Sequence, residues 1–180
     1  LGDVLKGVSR SFYLTLAILP QAVRFQIGLA YLFARAADTI ADTGELHDAV
    51  RLQCLQEFKR QMGKEAPEWK KIQTIQAQVI TKQSNPDERR LLEKLEQCFR
   101  VYLGFNHFDR AHIAHVVSVL IGGMEFDLQQ FPKKSGQLVH ALQDVPDFEY
   151  YTYAVAGCVG EFWTKMTCAH LPGMRRWEQP

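Results

Sequence analysis

The sequence predicts an all-α protein, because apolar residues recur at three- and four-residue steps along almost the whole chain and alternating β-branched runs are absent. The first helix covers about Val4 to Leu19 and stops ahead of Pro20, which disfavours helical backbone in the residue before it. The second runs from about Gln21 to Thr43, with Gly44 placed to cap its C-terminus. A third covers Leu46 to Met62 and a fourth Pro67 to Lys82. A fifth opens with Asn85 as N-cap and Pro86 in its first turn, and ends near Gly104. The sixth, about Asp109 to Gln130, is apolar nearly all round its middle, which marks a helix buried at the centre of a bundle. Its Gly122–Gly123 pair implies close packing or room for a ligand, since mid-helix glycine costs about 1 kcal/mol relative to alanine. The seventh covers about Pro146 to His170 and combines aromatics with Ala156, Gly157 and Gly160.

Composition bounds the class. With 180 residues, 47% hydrophobic, 23% charged and 11% aromatic, the chain reads as a single globular domain over residues 1–180. A chain of this size buries roughly 70% of the surface its unfolded form exposes, so it needs no covalent staples. A formal net charge of +1 argues against nucleic acid as a partner, and any anion binding must be local. Cys54, Cys98, Cys158 and Cys168 are widely separated with no C-x-x-C pair, the pattern of reduced thiols in a cytoplasmic protein. The run Phe12 to Leu19 is too short to span a bilayer and is followed by no cleavage site. The chain opens at Leu1 without methionine, so the protein is expected to begin earlier.

The chemistry concentrates on the second helix. Tyr31, Arg35, Asp38 and Asp42 fall at i, i+4, i+7 and i+11, one polar stripe among Leu29, Ala30, Leu32, Phe33, Ala36, Ala37 and Ile40. Carboxylates at i and i+4 have Cβ atoms roughly 5 to 6 Å apart and repel one another, which invites a cation between them. Magnesium takes oxygen ligands, commonly one or two carboxylates with waters and phosphate oxygens. Arg35, one turn earlier, offers a planar fork of donors to such a phosphate. A solvated helix end with an Arg35–Asp38 or Arg35–Asp42 ion pair is the alternative from the bare pattern. His112 and His115 are not joined by a carboxylate or cysteine at ligand spacing and read as polar residues near a helix start.

Four stretches in order change the weight of that stripe: VSRSFYLTLAILP (Val8–Pro20), YLFARAADTIAD (Tyr31–Asp42), GMEFDL (Gly123–Leu128) and YTYAVAGCVG (Tyr151–Gly160). Together they resemble the squalene/phytoene synthase family of head-to-head isoprenoid synthases. The resemblance implies an all-α isoprenoid synthase helical bundle around a central cavity. It implies diphosphate contacts for Ser9, Ser11, Arg35 and Tyr31, with Phe12 as the adjoining aromatic. Asp38 and Asp42 match the first aspartate-rich motif, which holds Mg2+, and Tyr151 matches a cavity tyrosine near the reacting carbons. Val155, Ala156, Gly157 and Gly160 match a small-residue face that leaves space for a polyprenyl chain. Asp127 matches an aspartate with a hydrogen-bonding or capping role.

The implied reaction joins two polyprenyl diphosphates. The DTIADT variant leans toward farnesyl diphosphate to squalene through presqualene diphosphate, which also consumes NADPH; phytoene or dehydrosqualene synthesis is the alternative. No G-x-G-x-x-G is present, and the family binds nicotinamide without one. A second aspartate-rich motif, N-x-x-x-R-D-x-x-x-D, does not occur in these residues, so the chain is expected to be the N-terminal portion of a longer enzyme, incomplete at its C-terminus and inactive alone. A non-catalytic helical assembly module of the same fold is the reading from another class. Substrates and product this apolar imply a cytoplasmic protein that touches the membrane surface.

Overall fold

A computed structural model of the chain describes residues 1–9, 12–131, 141–142 and 144–177, and these are helical, with no strand among them. The helices are α1 (Gly2–Ser9), α2 (Phe12–Ile18), α3 (Gln21–Asp42), α4 (Asp48–Met62), α5 (Trp69–Ile80), α6 (Pro86–Glu93), α7 (Leu95–Leu103), α8 (His107–Gln130), α9 (Val145–Thr152) and α10 (Cys158–His170). A π-turn (Tyr153–Gly157) joins α9 to α10, and a 3-10 turn (Pro172–Trp177) follows.

Two long helices, α3 and α8, form the centre. They pack on each other, and α4 and α10 close around both. By length and composition α8 could cross a membrane; 33% of its most apolar stretch is buried, and the helix packs against α3, α4 and α10. The densest part of the core is an aromatic group from three helices: Phe33 sits 6.0 Å from Phe58, 5.0 Å from Phe99 and 5.8 Å from Tyr102 between ring centroids. Each such ring, fully buried, contributes about 1.5 to 3 kcal/mol, which fixes α3 against α4 and α7.

Helix ends follow their side chains. Asn85 caps α6 by accepting from the Asp87 amide at 3.0 Å, as predicted. Asn106 and Asp144 cap α8 and α9 in the same way. Gly44 does not take the left-handed conformation expected of a cap. The end of α3 is instead satisfied by Thr43, whose hydroxyl donates to the Thr39 carbonyl at 2.7 Å, and by the Arg51 guanidinium on the Ala41 carbonyl. Both are side-chain solutions to the orphan carbonyls of a helix terminus.

Three expected helices are divided. The one expected over Val4–Leu19 is α1 and α2, and the one expected from Pro86 to Gly104 breaks at Lys94. The break is supported from α5: Gln76 Nε2 donates to the Leu92 and Glu93 carbonyls at 2.7 and 3.3 Å. The seventh expected helix carries the π-turn.

Candidate active site

The polar stripe of α3 emerges as predicted. Leu32, Phe33, Ala36, Ala37 and Ile40 are buried on the core side, and Asp38 and Asp42 open into a cleft of about 310 Å³. The facing wall comes from Gly123 and Asp127 of α8 with Tyr151 and Val155. Burial raises the Asp38 carboxyl above its ordinary value; Arg35 lowers it, and the Asp42 and Glu88 charges raise it further. Both aspartates also lie at the C-terminal end of α3, where the helix dipole is negative. The cleft therefore holds more negative potential than its own cations offset, and two hard oxygen donors there fit a magnesium ion.

Arg35 divides its fork. Nη1 donates to Asp38 Oδ2 at 2.5 Å and Nη2 to Glu88 of α6, while Nε is buried without a partner. Of the two arrangements weighed from sequence, the intrahelical ion pair with Asp38 is the one present, and Arg35 is not among the residues that line the cleft. Arg51 does line the cleft; it is 2% exposed and joins the Ala41 carbonyl to the Asp48 carboxylate. Tyr151 donates its hydroxyl to Asp127 Oδ1 at 3.2 Å. Burial, and then the Asp127 carboxylate, raise the Tyr151 hydroxyl above the ordinary phenol value.

A second cavity of about 250 Å³ adjoins the cleft and is almost wholly apolar. Ala30, Tyr31 and Ala34 of α3, Val116 of α8 and Val159, Phe162 and Trp163 of α10 line it. Phe12 stacks on Tyr31 at 5.2 Å and meets Trp163 edge-on at 6.5 Å. Leu120 lines both cavities. A larger cavity, about 500 Å³, lies on another face of α3 around Leu16, Gly28 and Leu32; its lining holds no carboxylate pair and none of the stripe residues.

The structure places Asp38, Asp42 and Tyr151 on the charged cleft and Phe12 and Tyr31 on the apolar cavity, while Arg35 lines neither and reaches the cleft only through Asp38. Ser11 lies outside the described residues. Ser9 is buried, donates its hydroxyl to the Leu5 carbonyl and lines neither cavity. Val155 lines the charged cleft rather than the apolar cavity, and Ala156, Gly157 and Gly160 are exposed. The apolar wall expected from them is supplied one turn further on, by Val159, Phe162 and Trp163. Sequence reasoning also missed Arg51 as a cleft residue, although it occupies the apolar phase of Cys54, Leu55 and Phe58. Asp127, expected in a hydrogen-bonding or capping role, makes a hydrogen bond inside the cleft.

Fold and site define an all-α bundle whose cavity is acidic at one end and apolar at the other. The chain belongs to the squalene/phytoene synthase family, whose model matches residues 5–178. It is 27% identical over 161 residues to squalene synthase of Schizosaccharomyces pombe, covering 88% of this chain and 32% of that protein. It is 26% identical over 171 residues to the bifunctional lycopene cyclase/phytoene synthase of Blakeslea trispora, covering 93% and 24%. Among solved structures, a ligand complex of TcSQS superposes with a TM-score of 0.68 at 22% identity, covering 92% of this chain and 42% of that one. That likeness shows the fold. The chain spans less than half the length of each of these proteins.

Proposed function

We propose that the full-length protein is a magnesium-dependent prenyltransferase that condenses two polyprenyl diphosphates head to head. The observation that carries this is the junction of an acidic cleft, built on Asp38 and Asp42, with an aromatic-lined apolar cavity. An allylic diphosphate has the same two halves. Asp38 and Asp42 would hold the metal, which supplies charge neutralisation for the departing diphosphate. Arg35 contributes directed donors where that charge develops. Phe12, Tyr31 and Trp163 present ring faces and edges to the apolar cavity, where they keep water from an allylic cation and stabilise positive charge. Tyr151, held by Asp127, stands over the cleft from the other wall.

The particular reaction proposed is farnesyl diphosphate to squalene through presqualene diphosphate, with NADPH as reductant in the second half. Support is the DTIADT variant and the similarity to a squalene synthase. Phytoene or dehydrosqualene synthesis is the alternative, supported by a near-equal similarity to phytoene synthases. Such apolar substrates imply a cytoplasmic protein working against the membrane surface. The test is product analysis of the full-length protein with farnesyl or geranylgeranyl diphosphate, with and without Mg2+ and NADPH, beside Asp38→Ala. Squalene that disappears in the variant supports the reading. Phytoene keeps the reaction class and changes the substrate. No hydrocarbon from a folded protein overturns the enzyme and leaves the non-catalytic module.

A further inference from the structure

The two cavities meet at one level of the bundle. Along α3 the lining passes from Ile27, Ala30 and Ala34 on the apolar side to Asp38 and Asp42 on the charged side. Along α8 it passes from Val116 to Gly123 and Asp127, and the rod of α9, π-turn and α10 runs the other way, from Tyr151 and Val155 to Val159 and Phe162. At the crossing level α3 presents Ala34 on the apolar side and α8 presents Leu120, the one residue common to both linings among those described. At this level α3 offers a methyl group and α8 the larger isobutyl group of Leu120. Leu120 is also only partly buried, packed against the core rather than within it, so its side chain is not locked as Ile113, Val117 and Ile121 are.

We propose that Leu120 is a specificity-determining residue: it partitions the charged cleft from the apolar cavity, and its size sets how long a prenyl tail can pass while the diphosphate is held beside Asp38 and Asp42. This rests on the function proposed above and extends it to substrate length. A C15 tail and a C20 tail carry the same head group and differ in how much chain must lie beyond the partition. Removing side-chain volume at 120 therefore favours the longer tail, and adding volume disfavours both, the longer more.

The test compares wild type, Leu120→Ala and Leu120→Phe in the full-length protein, by kcat/KM on both diphosphates and by Mg2+-dependent binding of their non-reactive thiolo-diphosphate analogues and of inorganic pyrophosphate. Leu120→Ala is expected to raise the C20-to-C15 ratio by about tenfold or more, the scale of discrimination that methylene-sized pocket changes give. Leu120→Phe is expected to shift the ratio the other way. Pyrophosphate, which has no tail, binds all three alike. A misfolded variant loses pyrophosphate binding and does not produce opposite shifts from the two substitutions. An unchanged ratio in both variants, with pyrophosphate binding retained, overturns the partition. If wild type makes no hydrocarbon, the proposed function falls, and the analogue-binding ratios still decide the role of Leu120.

Discussion

Replacing Asp109 with alanine removes the acceptor that ties α3 and α10 to α8. The carboxylate is 1% exposed. Its Oδ1 lies 2.6 Å from His170 Nε2 of α10, and its Oδ2 accepts from Gln26 Nε2 of α3 and Asn106 Nδ2, both at 3.1 Å. Alanine leaves those donors facing a void, beside a Gln26 oxygen that already lacks a partner. Leaving buried donors without their acceptor costs about 1 to 3 kcal/mol each, a large share of the roughly 5 to 15 kcal/mol that holds a domain folded. Asparagine keeps the shape and part of the bonding, and its cost is about 1 to 3 kcal/mol. Urea denaturation of the full-length protein, read by circular dichroism, is the assay. The expected order is wild type, Asn, Ala. A loss under about 1 kcal/mol for Ala at unchanged denaturant slope would refute the reasoning, because it would mean that the three helices are held by apolar packing alone.

Other consequences follow from the site. In a double-mutant cycle of Asp127→Ala and Tyr151→Phe, the 3.2 Å bond gives a coupling of about 1 kcal/mol in kcat/KM, discounted for its exposed setting, and additivity within about 0.5 kcal/mol means no functional link. Because burial and the Asp42 and Glu88 charges raise Asp38, Mg2+ is expected to raise the melting temperature of the wild type, while Asp38→Asn melts higher than wild type without metal and responds less to it; calorimetry with and without Mg2+ checks both. All four cysteines are buried, and burial pushes the Cys54 thiol up to about 11 and Cys98 up to about 12. The native protein is expected to resist thiol titration at pH 8 and to react fully in denaturant. The folded state then holds more protons than the unfolded above the ordinary thiol value of 9.0, so stability falls as pH rises from there toward 11; pH-dependent urea midpoints measure it.

Where a helix is specified by its own residues, the sequence showed it. The α3 stripe and the Asn85 cap follow from local periodicity or local hydrogen bonding. The break at Lys94 does not, because the group that stabilises it, Gln76, belongs to another helix. Arg51 shows the same limit: its charge is local, but the reason it can be buried is the Ala41 carbonyl at the end of α3. The acidic end of the site was legible because the spacing of Asp38 and Asp42 places both carboxylates on one face of an otherwise apolar helix. The apolar end was not. Ala156, Gly157 and Gly160 are exposed in a chain that spans less than half the length of its relatives, and the apolar lining among the described residues comes from the larger Val159, Phe162 and Trp163.

The π-turn before α10 has a consequence for chain length. Cys158 donates its amide to the Tyr153 carbonyl, one residue further back than in an α-helix, and its thiol takes the bypassed Ala154 carbonyl at 3.3 Å. The widened loop fits against α8 because Gly123 has no Cβ, which would come within 3.0 Å of Val155. A turn of this kind stores one surplus residue. Deleting one of residues 153–157 would let the helix heal with everything after it still in phase with Tyr151, whereas regularising the turn to α-helix with all its residues kept would rotate everything after it by about 100°. In that second case the apolar wall is lost. Phe162 and Trp163 would leave the apolar cavity although neither had been replaced. In this segment the backbone form is under the same constraint as the residues' identity, and a relative one residue shorter here could present the same cavity side chains from an unbroken α-helix.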